Sequence, residues 1–473
     1  MRRTKCGGSF ARRRQNGQDC PFCEAWRQTA ELREDFFDKL LRPNGHRTYI
    51  LDDRKNQEGP MKLELDAFLK DFEKITEIGK TPDGGCERLS MSDEDIEARH
   101  TLIEMLKKEG LVVDVDTTGA IWARLEGEQP ELPAVLVGSH IDTVRNGGKY
   151  DGLLGVMLGF QAMRQIKRSG EKHKRAIELV VFPTEESARF NYPTVGSKLL
   201  AGRIQPDKLK EMVDKDGISL YDALVSRGFD PAHPEEGQKR LRSAASMLEL
   251  HIEQGPVLEN SNISVGVVSA IAAPTRLAVE IVGEYAHSGA CPMHLRHNAL
   301  TASAEFILAV ERIGIAEAVN QSVAAVTLCD LVQGSMNVVP GHVKMAVDIR
   351  GIHVDSINRC VLGVERHLRS IADLRGVRCI HYTISSDPPV PMSDRMICAI
   401  RKASDKCHIK YKILPSGAGH DAMNVASVID TGMIFIPCKG GISHNPAEAV
   451  KNEDVAAGFA VLYTALLDEA NRK

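Results

Sequence analysis

Two apolar runs, Ala134-Val135-Leu136-Val137 and Ile177-Glu178-Leu179-Val180-Val181-Phe182, lack the strict polar–apolar alternation of a half-exposed strand. Short, nearly continuous runs of this kind are strands buried on both faces, and such strands belong to parallel sheets covered by helices. The intervening chain fits that arrangement. Leu153 to Ile166 and Leu63 to Ile78 carry helical spacing, and Ser92-Asp93-Glu94-Asp95 opens a third helix with acids in its first turn. Val112-Val113, Ile121-Trp122-Ala123 and Met433-Ile434-Phe435-Ile436 read as further strands. Strand–loop–helix alternation predicts an α/β fold with a parallel sheet and helices on both faces. In such sheets ligands gather beyond the carboxyl ends of the strands.

Five segments near such ends carry residues able to bind a transition metal: Gly138-Ser139-His140-Ile141-Asp142, Tyr150-Asp151-Gly152, Thr184-Glu185-Glu186, Leu250-His251-Ile252-Glu253-Gln254 and Ser443-His444-Asn445-Pro446. Each has an ordinary reading. His140 and Asp142 pair in many surface loops, Asp151 can cap the helix from Leu153, and Glu185-Glu186 can start a solvated helix. Single histidines such as His251 and His444 are more often structural. Taken together, three His and at least two carboxylates suit a pair of divalent ions such as Zn or Mn, with one Glu left over as a base. Adjacent carboxylates after an apolar strand call for a positive partner, which a metal provides. Asp142, two residues after His140, is placed to hold that ring's second nitrogen.

From Ala270 to Ser385 the pattern changes to strand, helix, two strands, helix, strand. This βαββαβ order predicts a small ferredoxin-like unit inserted into the α/β fold. The chain of 473 residues is long for one core. It divides into an extension over 1–60, a catalytic domain over 61–269 and 386–473, and the insertion over 270–385. Within the extension, Cys20-Pro21-Phe22-Cys23 with Cys6 and His46 reads either as a small zinc site or as poorly ordered chain.

A formal net charge of −4 gives no footprint for nucleic acid or an anionic membrane, and no stretch has the length of a membrane span. Eleven cysteines without a framework favour the reducing cytoplasm over a secreted protein.

The strand-end segments, in this order and joined by Glu185-Glu186-Ser187-Ala188-Arg189-Phe190, His251-Ile252-Glu253-Gln254-Gly255-Pro256 and Ser416-Gly417-Ala418-Gly419-His420-Asp421-Ala422, resemble the hydantoinase/carbamoylase family of amidohydrolases. That family is related to dinuclear zinc carboxypeptidases and aminoacylases. The match runs from about Leu63 to Leu467. The resemblance implies a dinuclear-metal exopeptidase-like domain with an inserted ferredoxin-like lid that also makes a homodimer. It implies two divalent ions (Zn, Mn or Co), one held by His140, Asp151 and His251, the other by Asp151, Glu186 and His444. Glu185 would be the general base, Asp142 the support of His140, and His287 an oxyanion stabiliser reaching the partner's site. Gln254, Arg276, Asn337, Arg350 and Gly419 match substrate-contact positions, with Asn337 and Arg350 on the substrate carboxylate. The implied reaction is hydrolysis of an N-carbamoyl-L-amino acid to the amino acid, CO2 and ammonia. Allantoate amidohydrolase and β-ureidopropionase are the near alternatives; an aminoacylase, a dipeptidase or a non-catalytic binding protein on the same fold are more distant. Two segments depart from the family's usual wording: Ala286-His287-Ser288-Gly289-Ala290-Cys291-Pro292-Met293, and Ala272-Ala273-Pro274-Thr275 before Arg276. Both bear on the substrate rather than the reaction.

Overall fold

The computed structural model describes residues 62–473, so the 1–60 extension and its Cys6, Cys20, Cys23 and His46 lie outside the described residues. Strands β1 (Val112–Val115), β2 (Ile121–Leu125), β3 (Val135–His140), β4 (Ile177–Phe182), β5 (Ser246–Ile252) and β6 (Val265–Ile271) belong to the larger sheet. After them come β7 (Ala273–Val282), β8 (Ala286–His287), β9 (Ser322–Leu331), β10 (Val338–Val339), β11 (His342–Gly351) and β12 (Arg378–Ser386). The chain then returns to the larger sheet with β13 (Val390–Pro391), β14 (Tyr411–Ser416) and β15 (Thr431–Ile436).

The larger sheet runs β1-β2-β4-β3-β5-β15-β6-β13, with β14 beside β6. Its centre is parallel, as expected: β3 pairs in parallel with β4 and β5, and β5 with β15. Its flanks are not. The β1–β2, β2–β4 and β15–β6 pairs are antiparallel, so the sheet is mixed. The turn between Val115 and Ile121 is far too short for a crossover, which needs a dozen or more residues.

Both faces of the sheet are covered. Val135 and Val137 of β3 pack in one core with Phe72, Leu102, Met157, Phe160 and Phe459, which come from the helices Leu65–Thr76, Asp93–Lys108, Leu153–Ser169 and Asn452–Ala470. Leu136 points the other way, into a cluster with Trp122, Phe182, Leu200 and Met247. Ser92 caps Asp93–Lys108 by accepting the Asp95 N–H.

Between Ile271 and Val390 the chain builds a second, antiparallel sheet in the order β12-β7-β11-β9. Residues alternating along β7 and β11 (Leu277, Val279, Ile281; Val343, Met345, Val347) pack on Phe306, Val310, Val364 and Leu368 of the helices Ala299–Glu317 and Val354–Arg375. The strands β8 and β10 form a separate ribbon. The two ends of this intervening segment lie together, because Ile271 pairs with Val390.

Candidate active site

His140 is the last residue of β3 rather than the first of the loop after it, and His251 is the penultimate residue of β5. Both strands point their carboxyl ends the same way, so both imidazoles arrive at one edge. Asp151 stands just before the helix Leu153–Ser169, whose N-cap is Gly152 with φ +64°. The capping alternative therefore fails. Gly152 occupies that position because a Cβ there would lie 2.4 Å from the His140 ring. Glu185 and Glu186 follow β4 in a turn, and both are buried; the next helix begins at Val195. They are not a solvated helix start. Thr184, Gln254 and His444 all have positive φ, a costly backbone state for such residues that concentrates at functional sites.

The Asp151 carboxylate is the hub. Its Oδ1 faces His140 Nε2 at 3.4 Å and His251 Nε2 at 3.2 Å. Its Oδ2 faces His444 Nε2 at 3.4 Å, and His444 Nε2 lies 3.5 Å from Glu186 Oε1. Two groups of candidate ligands result, His140/Asp151/His251 and Asp151/Glu186/His444, sharing one residue. Two ligand atoms each ~2.1 Å from a tetrahedral ion stand roughly 3.4 Å apart. The four separations fall at that spacing, so the donors fit a pair of ions in number, chemistry and geometry. Glu185 belongs to neither group, but its Oε2 lies 3.8 Å from His140 Nε2.

Asp142 is arranged differently from the expectation. His140 Nδ1 is bonded to the backbone carbonyl of Asp142 at 3.0 Å, while the nearer Asp142 carboxylate oxygen is 3.5 Å away. That carboxylate instead accepts the backbone N–H groups of Glu185 and Glu186 at 3.3 and 3.1 Å. It fixes the turn that carries both acids.

The site's electrostatics follow from crowding acids and imidazoles out of water. Burial, opposed by His140, lifts Glu185 well above the usual carboxylate range. Burial and the Asp151 charge push Glu186 up to about 7. Burial works against a charged Asp151, but His251, His140 and His444 outweigh it and hold the carboxyl well below its ordinary value. The hydrogen bond to Asp151 raises His444 to about 9. Such mutual perturbation in one cluster is typical of functional sites.

The expected substrate contacts separate into two sets. Gln254 Nε2 donates to Asp151 Oδ2 at 2.7 Å, inside the cluster. Arg350, on β11, donates to the Gly417 carbonyl at 2.8 Å and to Asp348 Oδ2 at 3.0 Å. A cavity of about 960 Å³ joins these places, with His444, Ser443 and Gln254 along one part and Arg350, Gly417 and Ala418 along another. Val257, Val323, Ile413 and Leu414 supply an apolar wall. Arg276 is exposed on β7, paired across the sheet with Asp348, and Gly419 is exposed two residues beyond Gly417. His287 and Asn337 sit together on the β8–β10 ribbon, where Ser288 N–H donates to the Asn337 carbonyl. Both are exposed, and among the described residues no hydrogen bond or ion pair joins them to Asp151 or its neighbours.

Several residues of the site went unnoticed in the sequence. Glu448 accepts the N–H groups of Tyr150 and Asp151, and Ser443 Oγ donates to Asp151 Oδ2 at 2.8 Å. Behind His251 lie Glu249, bonded to Ser139 and the Ala422 N–H, and His420, whose ring meets that of His251 edge-on at 4.5 Å. Burial and the neighbouring His251 keep His420 well below its ordinary pKa. Ser443 and His420 lie within segments already singled out, whereas Glu249 and Glu448 lie just outside them.

The model of peptidase family M20/M25/M40 matches residues 136–468 of the chain. The chain belongs to the M20 peptidase family. Similar members include an N-carbamoyl-L-amino-acid amidohydrolase of Pseudomonas sp., 37% identical over 84% of this chain and 96% of its own length. A ureidoglycolate hydrolase of Oryza sativa is 36% identical over 86% and 85%. Among solved structures, a hydantoinase/carbamoylase family amidase from Burkholderia multivorans superposes with a TM-score of 0.81 at 30% identity, covering 87% of this chain and 99% of that one. This M20 protein is thus an enzyme, an amidohydrolase acting on C–N bonds of linear amides, with the mixed α/β fold of its family.

Proposed function

We propose that this M20 amidohydrolase cleaves the carbamoyl C–N bond of an N-carbamoyl-L-amino acid, using two divalent ions. The observation that carries the metal part is the set of 3.2–3.5 Å separations around Asp151. His140, Asp151 and His251 would hold one ion and Asp151, Glu186 and His444 the other. Bound there, divalent ions supply Lewis acidity and make water a nucleophile near neutral pH. Glu185, buried and outside both ligand groups, takes the proton from the attacking water and returns it to the leaving amine. Asp142 holds Glu185 and Glu186 in place through their N–H groups. The carbamate left after C–N cleavage breaks down to CO2 and ammonia.

The cavity supports the choice of substrate. Arg350 offers paired donors for a carboxylate, and the apolar wall suits an amino-acid side chain better than the polar hydroxyl of ureidoglycolate or the second ureido arm of allantoate. The segment 270–385 is proposed as lid and dimer contact. His287 and Asn337 are exposed and, among the described residues, make no hydrogen bond or ion pair with Asp151 or its neighbours, which leaves them free to act at a partner's site. The cytoplasm is the proposed compartment, in keeping with the free cysteines among the described residues; no described helix is long and apolar enough to cross a membrane.

The test is a panel of N-carbamoyl-methionine, N-carbamoyl-leucine, 3-ureidopropionate, allantoate, ureidoglycolate and N-acetyl-methionine, assayed with Zn or Mn alongside metal analysis. Preference for the first two supports the reading. Turnover confined to ureidoglycolate or allantoate would reassign the substrate, and the absence of bound metal would remove the mechanism.

A further inference from the structure

Glu448 is 4% exposed and belongs to neither group of candidate ligands. Its Oε1 accepts two backbone N–H groups, Tyr150 at 2.8 Å and Asp151 at 3.2 Å. Its Oε2 lies 3.1 Å from Ser443 Oγ, which reaches Asp151 Oδ2 at 2.8 Å. The contacts close a ring that leaves Asp151 through its N–H, passes through Glu448 and Ser443, and returns to the Asp151 carboxylate, with the single Ser443 proton shared between the two carboxylates. The room for this is specific: a Cβ on Gly148 would lie 2.0 Å from the Glu448 carboxyl carbon. The same ring joins the loop bearing Asp151 to the loop bearing His444, nearly three hundred residues away.

We infer that Glu448 is a positioning residue that fixes the rotation of the shared Asp151 carboxylate and ties the His444 loop to it, so that both ligand groups are assembled before any ion arrives. The inference rests on the metal reading above. Ligating carboxylates are commonly held by hydrogen bonds of this sort, and losing such a partner costs about 10- to 100-fold in metal affinity. Ser443 and Glu448 supply that hold from two sides of the same residue.

The test is Zn²⁺ affinity of the metal-free full-length protein, measured by competition with a chromogenic chelator, for wild type, Glu448→Ala, Glu448→Gln and Ser443→Ala. Circular dichroism of the metal-free forms checks folding. Glu448→Ala is expected to stay folded and bind Zn²⁺ about 10- to 100-fold more weakly. Glu448→Gln, whose amide oxygen still accepts both N–H groups, is expected to recover most of that loss. Wild-type affinity in Glu448→Ala, or a glutamine variant as weak as alanine, overturns the inference. Should Glu448→Ala unfold, Ser443→Ala decides: it removes one arm of the ring, and unchanged affinity there overturns the inference. Wild type that binds no Zn²⁺ would instead overturn the metal reading itself, a separable outcome.

Discussion

Arg350 leaves the second sheet and donates to the carbonyl of Gly417, 2.8 Å away at the end of a strand of the first. Asp348 holds the other side of the guanidinium. The charge is thereby presented to the cavity from a fixed position rather than on a swinging side chain.

Replacing Arg350 with Ala should raise KM for carboxylate-bearing substrates about 10- to 100-fold, the worth of a charge-assisted hydrogen bond of about 1.5–3 kcal/mol. Effects on kcat should be smaller. Steady-state kinetics on the preferred substrate checks this, and an unchanged KM would count against the assignment.

Glu185→Gln removes the proposed proton carrier and little else. Turnover should fall by roughly 10²- to 10⁴-fold while the protein retains its full complement of metal, because Glu185 lies outside both ligand groups. Activity assays paired with metal analysis separate the two effects. A variant that loses metal and activity together would make Glu185 a ligand.

Metal binding should release protons. In the metal-free site the bond to Asp151 raises His444 to about 9, and against the pull of burial the neighbouring Glu185, Asp142 and Asp151 charges raise His140 well above its usual value. His444 is then protonated at neutral pH and must lose that proton to bind an ion. Affinity should therefore rise with pH towards about 9. Calorimetry of Zn²⁺ binding in buffers of different ionisation enthalpy reads the proton count directly, and a count of zero at pH 7 would refute the expectation.

Glu249→Ala should destabilise the fold. It strands the Ser139 hydroxyl and the Ala422 N–H in a dry interior, at about 1–3 kcal/mol for each group left unpaired. Urea unfolding of the metal-free protein measures this, and a midpoint equal to wild type would contradict it.

The strands β3 and β4 were legible because they are buried on both faces and so carry unbroken apolar runs. The strand β5 was not, because Glu249 and His251 interrupt its pattern; their burial is possible only beside Ser139, Ala422 and Asp151, from other parts of the chain. The antiparallel flanks escaped notice for a similar reason, since a strand's direction depends on its connections and not on its own residues. Asp151 was ambiguous locally, and became clear once Gly152 proved to be the cap. Glu448 carried no signal at all: its partners at Tyr150 and Asp151 are remote in sequence, and a lone acid in a loop looks like any solvated one.

The pairing of Ile271 with Val390 places the two ends of the intervening segment about one strand spacing, roughly 5 Å, apart. A stretch of chain whose ends already meet is a detachable part. It can be gained, lost or exchanged for another without pulling the host sheet open, because a short turn could bridge the same gap. The candidate metal ligands all lie outside that stretch, so evolution could alter the segment proposed as lid while leaving those ligands untouched.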